Sequence, residues 1–207
     1  MNNLLNESSD MRDRILFEKI PSSQKWLPVI VNAMRDNKTV EVTYQSFWRD
    51  KRSTFTLHPY CLKLFKQRWY VLGRSDGYDD PWIYALDERM KDVVPLKKAL
   101  KMPAKFNAGE FFSKYFGVII DDRKPSTVRI KVVSNQVRYI DSLPLHDTQK
   151  LIEETPEYGI FEYYLVPTYD FRQELLSHGP DVEVLEPEDL REEMKADIAR
   201  MYKNYGL

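Results

Sequence analysis

Apolar residues recur along the first half of the chain with two different periods. Leu27, Ile30, Val31 and Met34 fall at the i, i+3, i+4, i+7 spacing of one helix face. That predicts a helix from near Trp26, ended by the polar group Arg35-Asp36-Asn37-Lys38. A shorter helix from Met11 to about Lys19 is expected before it, capped by Asp10 and stopped by Pro21-Ser22-Ser23. From Thr39 the period falls to two. Val40, Val42 and Tyr44 alternate with Glu41 and Thr43, and Phe55 and Leu57 alternate with Thr54, Thr56 and His58. Leu62/Leu64, Trp69/Val71 and the run from Trp82 to Leu86 continue the pattern. Turn material separates them at Trp48-Arg49-Asp50-Lys51-Arg52, Lys66-Gln67 and Ser75-Asp76-Gly77-Tyr78-Asp79-Asp80-Pro81.

Short strands after a single helix predict a small closed β-barrel of the SH3 or Sm kind, ending near Leu96. A polar connector with Lys97, Lys98, Lys101, Pro103 and Lys105 follows, and then a different rhythm. Val128, Ile130 and Val132 alternate with Arg129 and Lys131 as a half-buried strand. Ser134 is placed to cap a helix holding Val137 and Ile140. Leu151-Ile152 and Phe161/Tyr163/Leu165 suit a hairpin around Pro156-Glu157-Tyr158-Gly159. Asp170 and Gln173 have the form of a capping box opening a helix with Phe171, Leu175 and Leu176, and Gly179 follows its end. Val182 and Val184 make a last strand. Pro187 then starts a helix with the stripe Leu190, Met194, Ile198, Met201 and Tyr205. The order β-α-β-β-α-β-α is that of a ferredoxin-like split βαβ with an added C-terminal helix. The expected class is α+β. Residues 1–25 read as a helical linker, 26–102 as the helix and barrel, and 103–207 as the ferredoxin-like domain.

Composition narrows the chemistry. Across 207 residues, 31 Lys and Arg stand against 32 Asp and Glu, so any polyanion site must be a local patch. No stretch is apolar for long enough to cross a membrane, no N-terminal signal pattern is present, and a cytoplasmic protein is expected. The single cysteine, Cys61, lies among apolar residues and reads as a half-buried thiol. His58, His146 and His178 fall in separate elements without metal-ligand spacing. The seven glycines form no phosphate loop, and Glu153-Glu154 and Glu192-Glu193 are adjacent pairs that point apart. These absences predict neither an enzyme nor a resident cofactor or metal.

One segment departs from ordinary packing. Arg68 and Tyr70 share one face of their strand and Trp69 and Val71 the other, with Lys63, Lys66 and Arg74 around the same hairpin and Arg89 after the next strand. Guanidinium and ammonium groups interleaved with rings suit a ligand that combines phosphates with stacking bases. An ordinary barrel edge with solvated cations is the competing reading.

Arg68-Trp69-Tyr70-Val71 resembles the name motif of the WYL-domain family of bacterial transcriptional regulators, with Val71 in place of its Leu. Tyr44-Gln45-Ser46, Leu57-His58-Pro59-Tyr60-Cys61-Leu62-Lys63 and Tyr84-Ala85-Leu86-Asp87-Glu88-Arg89-Met90 resemble its other strands in order, Glu88 being an insertion-like departure. Residues 107–207 resemble the extension that follows WYL domains, most recognisably at Gly179-Pro180-Asp181-Val182-Glu183-Val184-Leu185-Glu186-Pro187. The resemblance implies a non-enzymatic effector-sensing and oligomerisation module. Its partners would be single-stranded nucleic acid or a nucleotide, bound on the barrel, and a second copy in a homodimer. It places the effector surface at Tyr44, Ser46, His58, Lys63, Arg68, Tyr70 and Arg89, and the barrel core at Pro59, Trp69 and Val71. A winged helix-turn-helix is expected in such a regulator, but residues 1–35 do not carry its recognition-helix pattern. A protein-interaction module with no small ligand, using Phe111, Phe112, Tyr115 and Phe116, is the alternative.

Overall fold

In the computed structural model, which describes Arg14 and residues 25–206, the amphipathic segment after Trp26 forms α1 (Leu27–Arg35). The expected helix from Met11 to Lys19 lies outside the described residues. The buried line of α1 runs through Trp26, Ile30 and Ala33, with Leu27, Val29 and Met34 packed beside it. Val31, expected on that face, is exposed, because the apolar arc centres one residue row over, on Ala33. The Trp26 indole N–H donates to the Met90 carbonyl at 2.9 Å and pins the helix start to the sheet.

That sheet contains β1 (Lys38–Tyr44), β2 (Ser53–Phe65), β3 (Arg68–Ser75), β4 (Trp82–Ala85) and β5 (Met90–Ala99). All neighbours are antiparallel, in the order β4-β3-β2-β1-β5. Val40, Val42, Leu57, Val71, Leu86 and Val93 fill the space between sheet and helix. Where alternation suggests two strands, β2 is one continuous strand whose register shifts between Pro59 and Cys61. The strand β5, hidden from a period-two reading by Pro95 and its lysines, continues past Leu96 and takes in Lys97 and Lys98. As the last strand of the order it has a free edge, where a proline lacking an N–H is tolerated. The expected closed barrel is described here as an open order ending in β4 and β5, with no ladder joining those two among the described residues. Lys66 and Gln67, at φ 44° and 60°, make the two-residue turn from β2 to β3. Positive φ at both positions matches the twist of a tight hairpin.

The chain divides between Lys101 and Met102 into two units. The second holds α2 (Ala108–Phe112), β6 (Ser126–Val133), α3 (Ser134–Ser142), β7 (Lys150–Glu154), β8 (Tyr158–Leu165), α4 (Tyr169–Ser177), β9 (Val182–Glu186) and α5 (Glu188–Asn204). Its sheet is antiparallel in the order β7-β8-β6-β9, so β8 lies between β6 and β7. Val128, Ile130, Val132, Phe161, Tyr163 and Leu165 face the apolar sides of α3, α4 and α5.

Three local expectations change. Ser134 is the first helical residue of α3, not its cap, and Thr168 occupies the cap position of α4. Asp170, freed from capping, accepts the backbone N–H groups of Val118 and Ile119, both at 2.7 Å. A Cβ on Gly117 would overlap that carboxylate. Along α5 the stripe is covered only at Leu190 and Met194, while Ile198, Met201 and Tyr205 are exposed. Among the described residues no helix is long and apolar enough to cross a membrane.

Candidate functional site

Residues of the first unit converge on Asp87, in the short connection between β4 and β5. Its carboxylate is 1% exposed. Arg89, two residues on, donates to it from the backbone N–H at 3.1 Å, from Nε at 2.9 and 3.2 Å, and from Nη2 at 2.7 Å. Arg68, at the start of β3, places its Nε 3.1 Å from the same carboxylate while its side chain stays 40% exposed. A fixed guanidinium fork is suited to this two-oxygen contact. Burial alone would push the Asp87 carboxyl up, but the Arg89 hydrogen bonds and the Arg68 charge outweigh it and hold its pKa below the ordinary value. The contact with Asp87 in turn raises the Arg89 pKa. Two guanidinium groups against one carboxylate leave one positive charge.

Rings line this cluster. Tyr44, at the end of β1, is near enough to interact electrostatically with Arg89, Asp87 and Tyr70, and burial pushes its phenol pKa up. Its ring meets Tyr84 edge-on at 5.5 Å, and Tyr84 hydrogen bonds Ser75 at 2.8 Å. Tyr70 stands opposite Lys63 on β2 and Ala85 on β4, so Lys63, Tyr70 and Ala85 share a face. Val71 is buried in the core and Trp69 packs at its margin. The Arg89 guanidinium also lies 4.9 Å from the centre of the Phe47 ring.

Of the seven residues expected at the surface, Tyr44, Arg68, Tyr70 and Arg89 thus gather around the Asp87–Arg89 pair, and Lys63 stands opposite Tyr70 on β2. Ser46 lies in the β1–β2 connection, where its Oγ accepts the Trp48 backbone N–H at 3.2 Å. His58 is elsewhere, fully buried. The Lys101 backbone N–H donates to its Nδ1 at 2.9 Å, which leaves Nε2–H to donate to Asp76 at 3.0 Å. Asp76 also accepts from Lys98 Nζ at 2.5 Å. His58 therefore ties β2 to the chain leaving β5 and presents nothing to a ligand in this arrangement. Gly73, opposite Pro59, leaves room for it: a Cβ there would stand 2.5 Å from the His58 carbonyl oxygen. Pro59 is buried, as expected of a core position.

Sequence pattern alone does not single out Asp87 or Phe47 for the candidate site. The spacing Asp87-x-Arg89 directly after a buried strand is the signal for Asp87, since a carboxylate there needs a cation. Among the described residues no group of three or more His, Cys, Asp or Glu side chains could hold a metal ion.

Two domain families match the chain. The WYL domain matches residues 25–95, and the WCX domain matches residues 124–202. No curated protein matches the chain. Among solved structures, proteasome accessory factor B/C (PafBC) of Arthrobacter aurescens is similar at 17% identity and a TM-score of 0.35, over 82% of this chain and 25% of that one. A CRISPR Cas-related protein is similar at 15% identity and a TM-score of 0.50, over 86% of this chain and 50% of that one. The chain thus spans half or less of either, and the second is a likeness of fold. With both domain models matched in order along it, the chain belongs to the WYL-domain family, as a WYL domain followed by a WCX domain.

Proposed function

We propose that this chain is the sensing and oligomerisation module of a bacterial transcriptional regulator, and that its WYL domain binds a nucleic-acid-derived or other anionic effector without turning it over. The observation that carries this reading is the guanidinium pair held by the buried Asp87 carboxylate beside Tyr44 and Tyr70. Arg68 keeps a solvent-facing side while its orientation is fixed from behind, so a phosphate meets a cation whose entropy has already been restricted. The half-buried rings add a surface for a base or sugar. Family membership supports the regulatory context. The strand order β4-β3-β2-β1-β5 with a bent β2 supports an SH3/Sm-type strand arrangement, and β7-β8-β6-β9 supports a ferredoxin-like second domain.

In a homodimer, an effector that binds one arrangement of the subunits more tightly than another biases the population toward it. Attached winged helices would then move into or out of register with DNA half-sites. The competing interaction-module reading has less support, since Phe111 packs against Phe112 and Tyr115, Phe116 packs on Phe171, and Tyr115 is buried.

The test is fluorescence-anisotropy titration with labelled short single-stranded DNA at two salt concentrations. Salt-sensitive binding that weakens at least tenfold in Arg68→Ala, with a shallower salt slope, is expected. Equal affinity of parent and Arg68→Ala would overturn the placement of the site.

A further inference from the structure

The start of β4, at the other end of that strand from the Asp87 connection, carries exposed rings and carboxylates. Trp82, the first residue of β4, is 62% exposed, and Tyr78, in the connection before it, is 71% exposed. Gly73 stands opposite Trp82 on β3 and has no side chain to pack against the indole. It has no room for one, since a Cβ there would overlap the His58 carbonyl oxygen. Tyr84, two residues along β4, shares the Trp82 face and lies near enough to Tyr78 to interact electrostatically with its phenol. Burial of an indole ordinarily recovers solvation free energy, and within this unit Trp82 makes little of that gain. The connection is nevertheless held in one shape. The Asp76 N–H donates to the Thr56 carbonyl at 3.0 Å, the Tyr78 N–H to the Ser75 carbonyl at 3.2 Å, and Arg74 Nη1 to the Tyr78 carbonyl at 3.0 Å.

Charge selects the occupant. Asp76, Asp79 and Asp80, all exposed, lie in this connection. Asp76 is taken by Lys98 and His58, and Arg74 is turned onto the Tyr78 carbonyl. Asp79 and Asp80 make no ion pair among the described residues. Arg74 and Lys98, the cations that contact the connection, leave one of its three negative charges unbalanced beside the rings. A nucleic acid or an acidic peptide would bring like charge against these carboxylates. A purely apolar segment would cover them without partners. A guanidinium or ammonium group satisfies both features, lying on the indole face while it pairs with a neighbouring carboxylate. The strand β4 also ends its sheet order, with no ladder on its outer edge among the described residues, which suits an extended segment laid alongside Trp82.

We infer that Trp82, Tyr78, Asp79 and Asp80 form a docking surface for a basic, extended segment of a partner protein. The surface is opposite in charge to the Arg68–Arg89 site, so the two take different partners. The inference does not rest on the anionic-effector reading.

The experiment titrates the full chain into a fluorescein-labelled octapeptide of alternating arginine and threonine, followed by anisotropy at two salt concentrations. A peptide with glutamate in place of arginine is the control. The parent should bind the arginine peptide in a salt-sensitive manner and leave the glutamate peptide free. Trp82→Ala should weaken binding roughly 2- to 30-fold, the range of one cation–π contact, and Trp82→Phe should recover part of it. Asp79→Asn combined with Asp80→Asn should also weaken it roughly 2- to 30-fold, from two exposed charge pairs, and flatten the salt dependence. The charge-matched combination of Glu154→Gln and Glu157→Gln in the second unit should bind as the parent does. All five positions are exposed, so these replacements preserve folding, which circular dichroism verifies. Labelled single-stranded DNA should bind Trp82→Ala as it binds the parent. A matching loss there would make Trp82 part of the effector site and overturn the inference. No binding of the arginine peptide by the parent, or an equal loss in the Asp and Glu combinations, also overturns it. If Trp82→Ala lowers the mass in solution while peptide affinity holds, the face is a contact between copies and the inference is wrong.

Discussion

Replacing Asp87 by Asn keeps the shape of the carboxylate and removes its charge, which isolates the clamp from the packing around it. In the parent, one nearly fully buried carboxylate receives Arg89 through its backbone N–H, Nε and Nη2, and Arg68 through Nε. Hydrogen bonds to a charged partner contribute about 1.5–3 kcal/mol and neutral ones about 0.5–1.5 kcal/mol. The amide retains one acceptor and turns an NH2 toward cations. Arg68 is 40% exposed, so solvent screens its share. The expected loss is therefore about 2 kcal/mol, or about 10 °C in the unfolding midpoint of a unit this size. All four tryptophans, Trp26, Trp48, Trp69 and Trp82, precede Lys101. Urea unfolding followed by tryptophan fluorescence thus reads the first unit alone. The pH dependence supplies the sign. Asp87 titrates below its ordinary value in the fold, so its contribution is complete above the unfolded carboxylate pKa of about 3.9 and is lost as pH falls through the folded one. The gap between parent and variant should be full at neutral pH and shrink in acid. A gap under about 0.5 kcal/mol at pH 7, or one that does not shrink in acid, would refute the clamp as an electrostatic device.

Two further outcomes follow from the contacts that Asp76 makes with Lys98 and His58. The Lys98 and His58 hydrogen bonds hold the Asp76 carboxyl at about 2. NMR titration should find that midpoint in the parent and a rise toward the ordinary range in Lys98→Ala. A midpoint near 4 in the parent would mean the contact does not persist in solution. Its stabilisation is likewise present above the ordinary range and lost as pH falls toward 2. His58→Ala leaves a cavity and takes the acceptor from the Lys101 N–H, so about 3 kcal/mol should be lost in the same urea experiment. Unchanged stability would show that water replaces the ring.

The second unit is the more legible of the two because its central strands β6 and β8 keep strict alternation over long enough runs. Val128, Ile130 and Val132 point inward with Arg129 and Lys131 between them, and nothing interrupts the count. In the first unit the count breaks within β2. Pro59 opposes Gly73 and Cys61 opposes Leu72, so one extra residue enters the strand at Tyr60. Before the bulge the odd-numbered residues Phe55, Leu57 and Pro59 lie on the core side. Beyond it, even-numbered Leu62 faces the core opposite Val71, and Lys63 shares a face with Tyr70. A period-two reading takes the jump in parity as a gap and divides one strand into two.

The cations of the site were legible for a reason that does not extend to their partner. Arg68 and Tyr70 stand two apart on one strand, and that spacing alone puts them on one face. Which carboxylate meets Arg68 depends on β3 and the β4–β5 connection coming together, as when the Leu86 N–H donates to the Trp69 carbonyl at 2.9 Å. No pattern within a single strand reports a contact across 19 residues. His58 shows the same limit from the opposite direction. Its place opposite Arg74 assigns it to a face bearing cations, yet the chain leaving β5 hydrogen bonds to it and buries it. Local spacing therefore identifies which face a side chain takes, while tertiary contact decides whether that face stays open. Arg68 remains open because the carboxylate holding it lies behind it, and Asp87→Asn tests that dependence directly.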